Sequence, residues 1–346
     1  MATSTRSAAG AGLRRHAVAQ FVRLSALGVT IFFPLLGAAS SLAGVPPRWR
    51  PLLAILVVAV LFHVFAYVFN DVVDLPVDRT APARASSPLV RGAVRPGPAL
   101  ALALALVPLI VLVAWWSAAG LRGVGAMLAA CCLMAIYNLW GKRGPFPPLT
   151  DLAQGLGWAS LTLYGAMVGG GQSAVTGWVL AFVAVYILMA NGIHGSIRDL
   201  RNDHRHGVRS TAILLGARPG PGTAILLPGA VVAYVFALQA LLAGLVLAPL
   251  PRDDPGYAPV ARAVTLTLVA GLVVACHVLL GRALRAARDE RSLRPAGILH
   301  LLVTLALPLA LLAGHLRGWM LAALLAGYLV PFLLNGWLRE ALNRDR

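Results

Sequence analysis

Ten long apolar stretches, each close to the length that spans the hydrocarbon core of a bilayer, occupy most of this 346-residue chain and leave only short polar joints between them. They run from Leu24 to Ala43, Pro51 to Asn70, Pro98 to Ala118, Val124 to Trp140 and Leu149 to Gly169. In the second half they run from Val175 to Gly195, Thr223 to Pro249, Pro259 to Leu280, Gly297 to His315 and Trp319 to Leu338. Their continuous Leu, Ala and Val content lacks the in-out alternation of a transmembrane barrel. A single soluble core would have to bury ten nearly charge-free segments. Only 12% of the residues are charged, against about 25% in an ordinary soluble domain, and the mean hydropathy is +0.80. The expected architecture is therefore an all-α, polytopic membrane bundle. Gly155 and Gly157 loosen the fifth span and Pro331 interrupts the tenth. Residues 1–20 read as a flexible tail, 21–338 as one transmembrane domain and 339–346 as a short polar tail. The first span lacks a small-residue cleavage pattern and reads as a retained anchor.

The joints assign a side to each end of the bundle. Those containing Arg6, Arg14, Arg15, Arg23, Arg79, Arg84, Arg91, Arg95, Lys142 and Arg143 alternate with joints that are nearly free of charge. The same side receives Arg198 to Arg218, the five arginines from Arg282 to Arg294, and Arg339, Arg344 and Arg346, or 23 of the 29 basic residues. By the positive-inside bias, both termini and these joints face the cytoplasm of a cell inner or plasma membrane. The formal charge of +17 is thereby accounted for by topology and by contact with anionic lipid or phosphate. No basic surface interleaved with aromatics calls for nucleic acid.

Five of the twelve carboxylates fall in two of these joints: Asn70-Asp71-Val72-Val73-Asp74-Leu75-Pro76-Val77-Asp78 and Asp199-Leu200-Arg201-Asn202-Asp203. A carboxylate beside hydrocarbon is costly to keep charged without water, a cation or a partner. Asp71, Asp74 and Asp78 are spaced by three and four, which sets them along one face of a helical end. Pro76 disfavours helix at Leu75, so Asp78 is expected to come round on a turn. Asn70 adds an amide at the membrane edge. Asp199 and Asp203 repeat the four-residue spacing at the end of the sixth span.

Oxygen ligands among many cations suit Mg2+ bound together with substrate phosphate, because Mg2+ takes few carboxylates and retains waters. Zinc fits less well: Cys131, Cys132 and Cys276 lie inside spans, and no compact cysteine-histidine pattern appears. The counter-charges Arg79, Arg84, Lys142, Arg143 and Arg198 are candidates to hold phosphate oxygens. His204 and His206 read as solvated loop residues. His194, on the polar break Asn191-Gly192-Ile193-His194-Gly195-Ser196, either lines a cavity or packs.

Asn70-Asp71-x-x-Asp74-x-x-x-Asp78 followed by Arg79, with Asp199-x-x-x-Asp203-x-x-x-Gly207 and then Arg209-Ser210, resembles the paired aspartate signature of the UbiA intramembrane prenyltransferases. The joint Tyr137-Asn138-Leu139-Trp140-Gly141-Lys142-Arg143 resembles that family's loop between its fourth and fifth helices. The resemblance runs from about Arg23 to Leu280, with first and second motifs at 70–79 and 199–210. It implies nine or ten helices around a central cavity with aspartate-rich cytoplasmic caps that bind Mg2+ and an isoprenyl diphosphate. Asn70, Asp71, Asp74 and Asp78 carry over as the first metal and diphosphate site, Asp199 and Asp203 as the second, Arg79 and Lys142 as diphosphate contacts, and Tyr137 as a neighbour of the prenyl carbocation. The chain departs from the pattern at Ser87-Pro88-Leu89, where the family carries Arg-Pro-Leu and where Arg84 or Arg91 stands in for the charge. Asn202 need not ligate metal.

The implied reaction is transfer of a prenyl group to an aromatic, quinonoid or lipid-like acceptor with release of diphosphate. A related outcome is cyclisation of the prenyl diphosphate without acceptor, as in membrane terpene cyclases of this type. Asn191, His194 and Gln154 serve either an acceptor or a final deprotonation. Arg23 reads as a cytoplasmic anchor or as a cation for an acidic acceptor. A cation-binding transporter is the remoter alternative, because the clusters sit at span ends and not at the bilayer midplane where carriers bind cargo.

Overall fold

The computed structural model describes residues 18–41, 49–249, 259–286, 290–312 and 318–344. The expected N-terminal tail lies mostly outside the described residues, and the central part of the basic run from Arg282 to Arg294 does as well. Among the described residues eight helices are long and apolar enough to cross a membrane, and these residues form an all-α polytopic bundle apart from one two-residue antiparallel ladder, Arg218–Pro219 with Ile225–Leu226. In chain order the first elements are α1 (Leu24–Ser40), α2 (Trp49–Val73), α3 (Leu75–Asp78), α4 (Pro96–Trp116), α5 (Gly120–Trp140) and α6 (Pro147–Gly169). There follow α7 (Ala174–Ile187), a π-helical stretch (Leu188–Gly195), α8 (Ser196–Arg205), α9 (Thr211–Leu214), α10 (Gly229–Leu247), α11 (Pro259–Ala286), α12 (Glu290–Thr304), α13 (Ala306–Leu312) and α14 (Gly318–Arg344).

Large apolar side chains cover the outside as well as the inside. Leu104, Leu112, Val274, Val278, Val330 and Leu333 are exposed along helix faces, a distribution that water penalises and lipid accepts. Trp115, Trp116 and Trp49 are exposed at one end of the bundle and Trp140 at the other, where indoles favour the interfaces. The interior is built on Phe33, Leu36, Phe62, Trp158, Tyr164 and Phe182. A smaller core of Ile193, Ile197, Leu200, Ala212 and Val235 lies under the second motif.

Small residues set how closely the helices approach. A Cβ at Gly37 would lie 1.9 Å from the Thr162 carbonyl oxygen and one at Gly165 1.9 Å from that of Pro34, so α1 and α6 meet backbone to backbone. The glycines expected to loosen the fifth span instead serve contact: a Cβ on Gly155 would lie 2.5 Å from the Ala184 carbonyl oxygen of α7. Pro331 does not interrupt the last helix, which runs through it from Gly318 to Arg344. That helix also absorbs most of the expected polar C-terminal tail and lies along α1, where a Cβ on Gly28 would be 2.3 Å from the Tyr328 carbonyl oxygen. The seventh span begins later than expected, because the hairpin occupies residues 218–226 and Pro228 precedes the helix.

Two irregularities position the site. Pro76 has no N–H to give to the carbonyl of Val72, so α2 ends at Val73 and the chain restarts as α3 with proline in its first turn, where the missing donor costs little. The wide turn at Leu188–Gly195 is rich in poor helix formers, and Gly192 leaves the space filled by the Asp151 carboxylate, whose Oδ2 would be 2.6 Å from an added Cβ.

Candidate functional site

Each aspartate of the first motif meets its own partner. Asp71, 5% exposed, forms an ion pair with Arg23, whose guanidinium also reaches Asn70 Oδ1 at 3.4 Å and lies 5.1 Å from the centroid of the Tyr67 ring. Arg23 adopts a left-handed backbone with φ of 47°, a conformation costly for a residue with a Cβ and held here by a buried pair. Asp74 receives the Lys142 ammonium at 2.9 Å and the Asn70 amide at 3.2 Å. The Asn70 amide also lies 3.4 Å from Asn138 Oδ1, and Asn138 in turn donates to the Ala66 carbonyl. Asp78, carried by α3, stands 3.6 Å from Arg84.

The second motif closes over the first. Asp199 accepts both arms of Arg198, at 3.0 and 2.7 Å. Asp203 is buried to 4% exposure and feels Lys142 electrostatically, as do Asp74 and Asp78. Asn202 donates to the Val77 carbonyl at 3.3 Å and accepts from the Thr80 hydroxyl at 3.3 Å. The Arg209 amide donates to the Lys142 carbonyl, tying the joint after α5 to the loop after α8. Tyr137, one turn before Lys142, lies within the field of Asp74, Asp199 and Asp203 together. Residues more than 120 positions apart thus share one mouth of the bundle.

The electrostatics leave the carboxylates in excess and favour a cation among them. Burial pushes the Asp78 carboxyl above its ordinary range despite Arg84 and Lys142. Burial also works against the Lys142 ammonium, but Asp74 and Asp203 outweigh it and its pKa stands above the ordinary value. Five carboxylates face four paired cations: Arg23 with Asp71, Lys142 with Asp74, Arg84 with Asp78 and Arg198 with Asp199. Among the described residues, no three Asp, Glu, His or Cys side chains lie close enough to hold a metal ion unaided.

Other sequence candidates lie elsewhere. Arg79 and Arg143 are exposed and form no ion pair among the described residues. Asn191 and His194 sit deeper than the aspartates: Asn191 donates to Gln154 at 2.7 Å and His194 Nε2 meets His300 Nδ1 at 3.2 Å. Arg23 proves to be a partner of Asp71 and Asn70, more than the surface anchor that its place before the first span suggests. Asp151, which hydrogen-bonds the Thr211 hydroxyl, escaped sequence reasoning, although a lone carboxylate near the start of an apolar span was a legible signal. Nothing in the sequence marked Asn202 as the clasp between motifs.

Fold and site together define a polytopic membrane protein whose helices present paired aspartates and interposed cations at one mouth. Residues 31–293, 263 of the 346, match the model of the UbiA prenyltransferase family, and the chain belongs to that family. It is 35% identical over 152 residues to the 4-hydroxybenzoate octaprenyltransferase of Tolumonas auensis, an alignment covering 43% of this chain and 50% of that protein. The chain therefore spans about half the length of this curated relative. Among solved structures it is similar to the apo form of a UbiA homolog from Aeropyrum pernix K1, with a TM-score of 0.60, 22% identity, and coverage of 82% of this chain and 96% of that one. It is likewise similar to a UbiA homolog from Archaeoglobus fulgidus bound to DMAPP and Mg2+, with a TM-score of 0.58, 18% identity, and coverage of 85% and 99%. At these identities the two structures establish a common fold.

Proposed function

We propose that the protein is a Mg2+-dependent intramembrane prenyltransferase that ionises an isoprenyl diphosphate at its cytoplasmic mouth and joins the prenyl group to a small hydrophobic acceptor. The observation that carries this reading is the clasped pair of aspartate motifs with Lys142 between them. The DMAPP and Mg2+ named for the Archaeoglobus homolog and the prenyl transfer named for the Tolumonas relative support it.

The donor set fits Mg2+. It is all oxygen, it comes from α2, α3 and α8, and it is too sparse to form a closed cage, which suits a cation that keeps waters and shares substrate phosphate. Asp71, Asp74 and Asp78 would hold it from one side and Asp199 and Asp203 from the other. Bound there, the metal supplies Lewis-acid stabilisation of charge on the diphosphate. The chain's own residues do the rest. Lys142, Arg84 and Arg198, which stand beside these aspartates, are the cations that would contact phosphate oxygens and stabilise the departing group. Asn70 and Asn138 hold Asp74 in orientation. Tyr137 would present its ring to the allylic cation and stabilise its charge, while the apolar walls beyond exclude water. Arg79 and Arg143 steer the anionic substrate from solvent.

The test uses purified protein in lipid nanodiscs with Mg2+ and a panel of prenyl diphosphates, alone and with aromatic, quinonoid and lipid acceptors, reading diphosphate release and product mass. Asp71→Asn and Asp199→Asn are each expected to depress release at least about 100-fold with the thermal midpoint preserved. Normal release in both variants would remove the metal-site assignment. A hydrocarbon or cyclic alcohol formed without acceptor would replace transfer by cyclisation on the same ionisation site.

A further inference from the structure

Beneath the aspartate cap a second polar group crosses the apolar interior. His194, on the π-helical stretch, meets His300 of α12 at 3.2 Å from Nε2 to Nδ1, with ring centroids 5.2 Å apart. His300 Nε2 in turn meets Gln239 Oε1 of α10 at 2.9 Å. His300 and Gln239 are fully buried. Ionisable groups at this depth are expensive and mark function when they persist.

With Gln239 Oε1 as the atom facing His300 Nε2, and Thr304 Oγ1 3.4 Å from the same nitrogen, the proton order follows. The Gln239 carbonyl oxygen can only accept, so His300 carries its proton on Nε2 and offers Nδ1 as an acceptor. His194 then donates from Nε2, which leaves its Nδ1 with a free lone pair. Gln239 holds this order at the cost of its own Nε2, which is buried without a hydrogen-bond partner among the described residues. Nδ1 of His194 looks toward Gly297 of α12, where an added Cβ would stand 3.1 Å away. The absence of a side chain there keeps the nitrogen uncovered.

The same nitrogen sits in the right layer. His194 lies five residues before Asp199 on a continuous helical path, about 7 Å deeper into the bundle. Asn191, His194, Gly195, Asp199 and Asn202 all remain partly accessible, whereas Ile193, Ile197 and Leu200 on the opposite face are buried. An accessible polar track therefore leads from the aspartates down to the imidazole.

We infer that His194 is the catalytic base that removes the proton released when the prenyl cation is consumed, with His300 and Gln239 as positioning residues that fix its tautomer. This rests on the prenyl diphosphate reading above. The allylic C–O bond breaks and its electron pair leaves with diphosphate. A C–C bond forms between the allylic carbon and the acceptor carbon. The C–H bond at that acceptor carbon then breaks, its electron pair restores the acceptor's unsaturation, and the proton passes to His194 Nδ1. Without acceptor, the C–H bond beside the cation breaks and gives a diene by the same transfer.

His194→Gln keeps an amide donor toward His300 but has no basic nitrogen, so it tests the base without emptying the site. Wild type and variants are given geranylgeranyl diphosphate and Mg2+, alone and with 4-hydroxybenzoate as probe acceptor. Diphosphate release is followed alongside the ratio of proton-loss products, prenylated acceptor plus dienes, to prenyl alcohol. H194Q is expected to lower that ratio at least about tenfold among the turnovers it completes. Added imidazole is expected to restore it in His194→Ala. His300→Leu should lower the ratio as well, and His300→Asn, whose Oδ1 can occupy the place of Nδ1, should recover it. A wild-type ratio in H194Q overturns the base and leaves the prenyl reading standing. Absence of diphosphate release from the wild-type protein overturns both.

Discussion

Replacing Lys142 by methionine removes the cation paired with Asp74 that also faces Asp78 and Asp203, while keeping the length and apolar stem of the side chain. The ammonium stands 2.9 Å from Asp74 Oδ2. With an effective dielectric of about 20, the attraction at that separation is on the order of 6 kcal/mol before desolvation is counted. About a third of the lysine side chain is open to water, with an exposure of 32% against 11% for the aspartate, so solvent screening and desolvation reduce the net value to about 2–3 kcal/mol. The same charge is proposed to contact phosphate oxygens during ionisation. Losing it there is expected to slow diphosphate release about 30- to 150-fold, with a smaller change in the concentration of prenyl diphosphate needed for half-saturation. The assay is single-turnover release of diphosphate from geranylgeranyl diphosphate in nanodiscs with saturating Mg2+, alongside a thermal melt. Release within about threefold of wild type in K142M would refute the reasoning, because Lys142 reaches Asp74, Asp78 and Asp203 together.

Four further outcomes follow from named contacts. The Lys142 pKa is raised in the fold, so its stabilising contribution is fully present below the ordinary value of 10.5 and is lost as pH rises through the higher folded value; alkaline melts should show this loss in the wild type and not in K142M. Asp78 is held above its ordinary range by burial, so its ionisation costs stability at neutral pH. Asp78→Asn is therefore expected to raise the thermal midpoint by about 1–3 °C while depressing diphosphate release, and a lower midpoint would contradict that sign. Asn202→Leu removes two hydrogen bonds between the motifs, each worth about 1 kcal/mol, and should weaken apparent prenyl diphosphate affinity about tenfold with little loss of fold, measured by saturation kinetics. Stripping divalent cations should abolish release, and a thermal shift on adding inorganic diphosphate should appear only when Mg2+ is restored, since each ligand supplies charge the other needs.

The membrane bundle, the ends of most spans and the two aspartate motifs were legible in the sequence for simple reasons. A run of about twenty apolar residues has few ways to satisfy its backbone in lipid except as helix, and carboxylates three or four apart share a face of that helix. Pro76 even announced the turn that carries Asp78. Gly155 and Gly157, by contrast, were misread as loosening elements, because a glycine's meaning depends on whether another backbone approaches it, and α7 lies against Gly155. Pro331 was misread because a proline interrupts a helix only when its neighbours cannot absorb the lost hydrogen bond.

The sequence by itself determined a class of environment and a stock of chemistry: apolar helices, two carboxylate clusters and an excess of arginine and lysine at the same joints. These are local properties, set by composition and short spacing. Partner choice was decided only by tertiary structure. Arg23 finds Asp71 across 48 residues, Asn202 finds Val77 across 125, and His194 finds His300 across 106. Such pairings depend on how helices pack and on where a glycine or a widened turn lets one backbone come close to another. Helical periodicity carries no information about that packing.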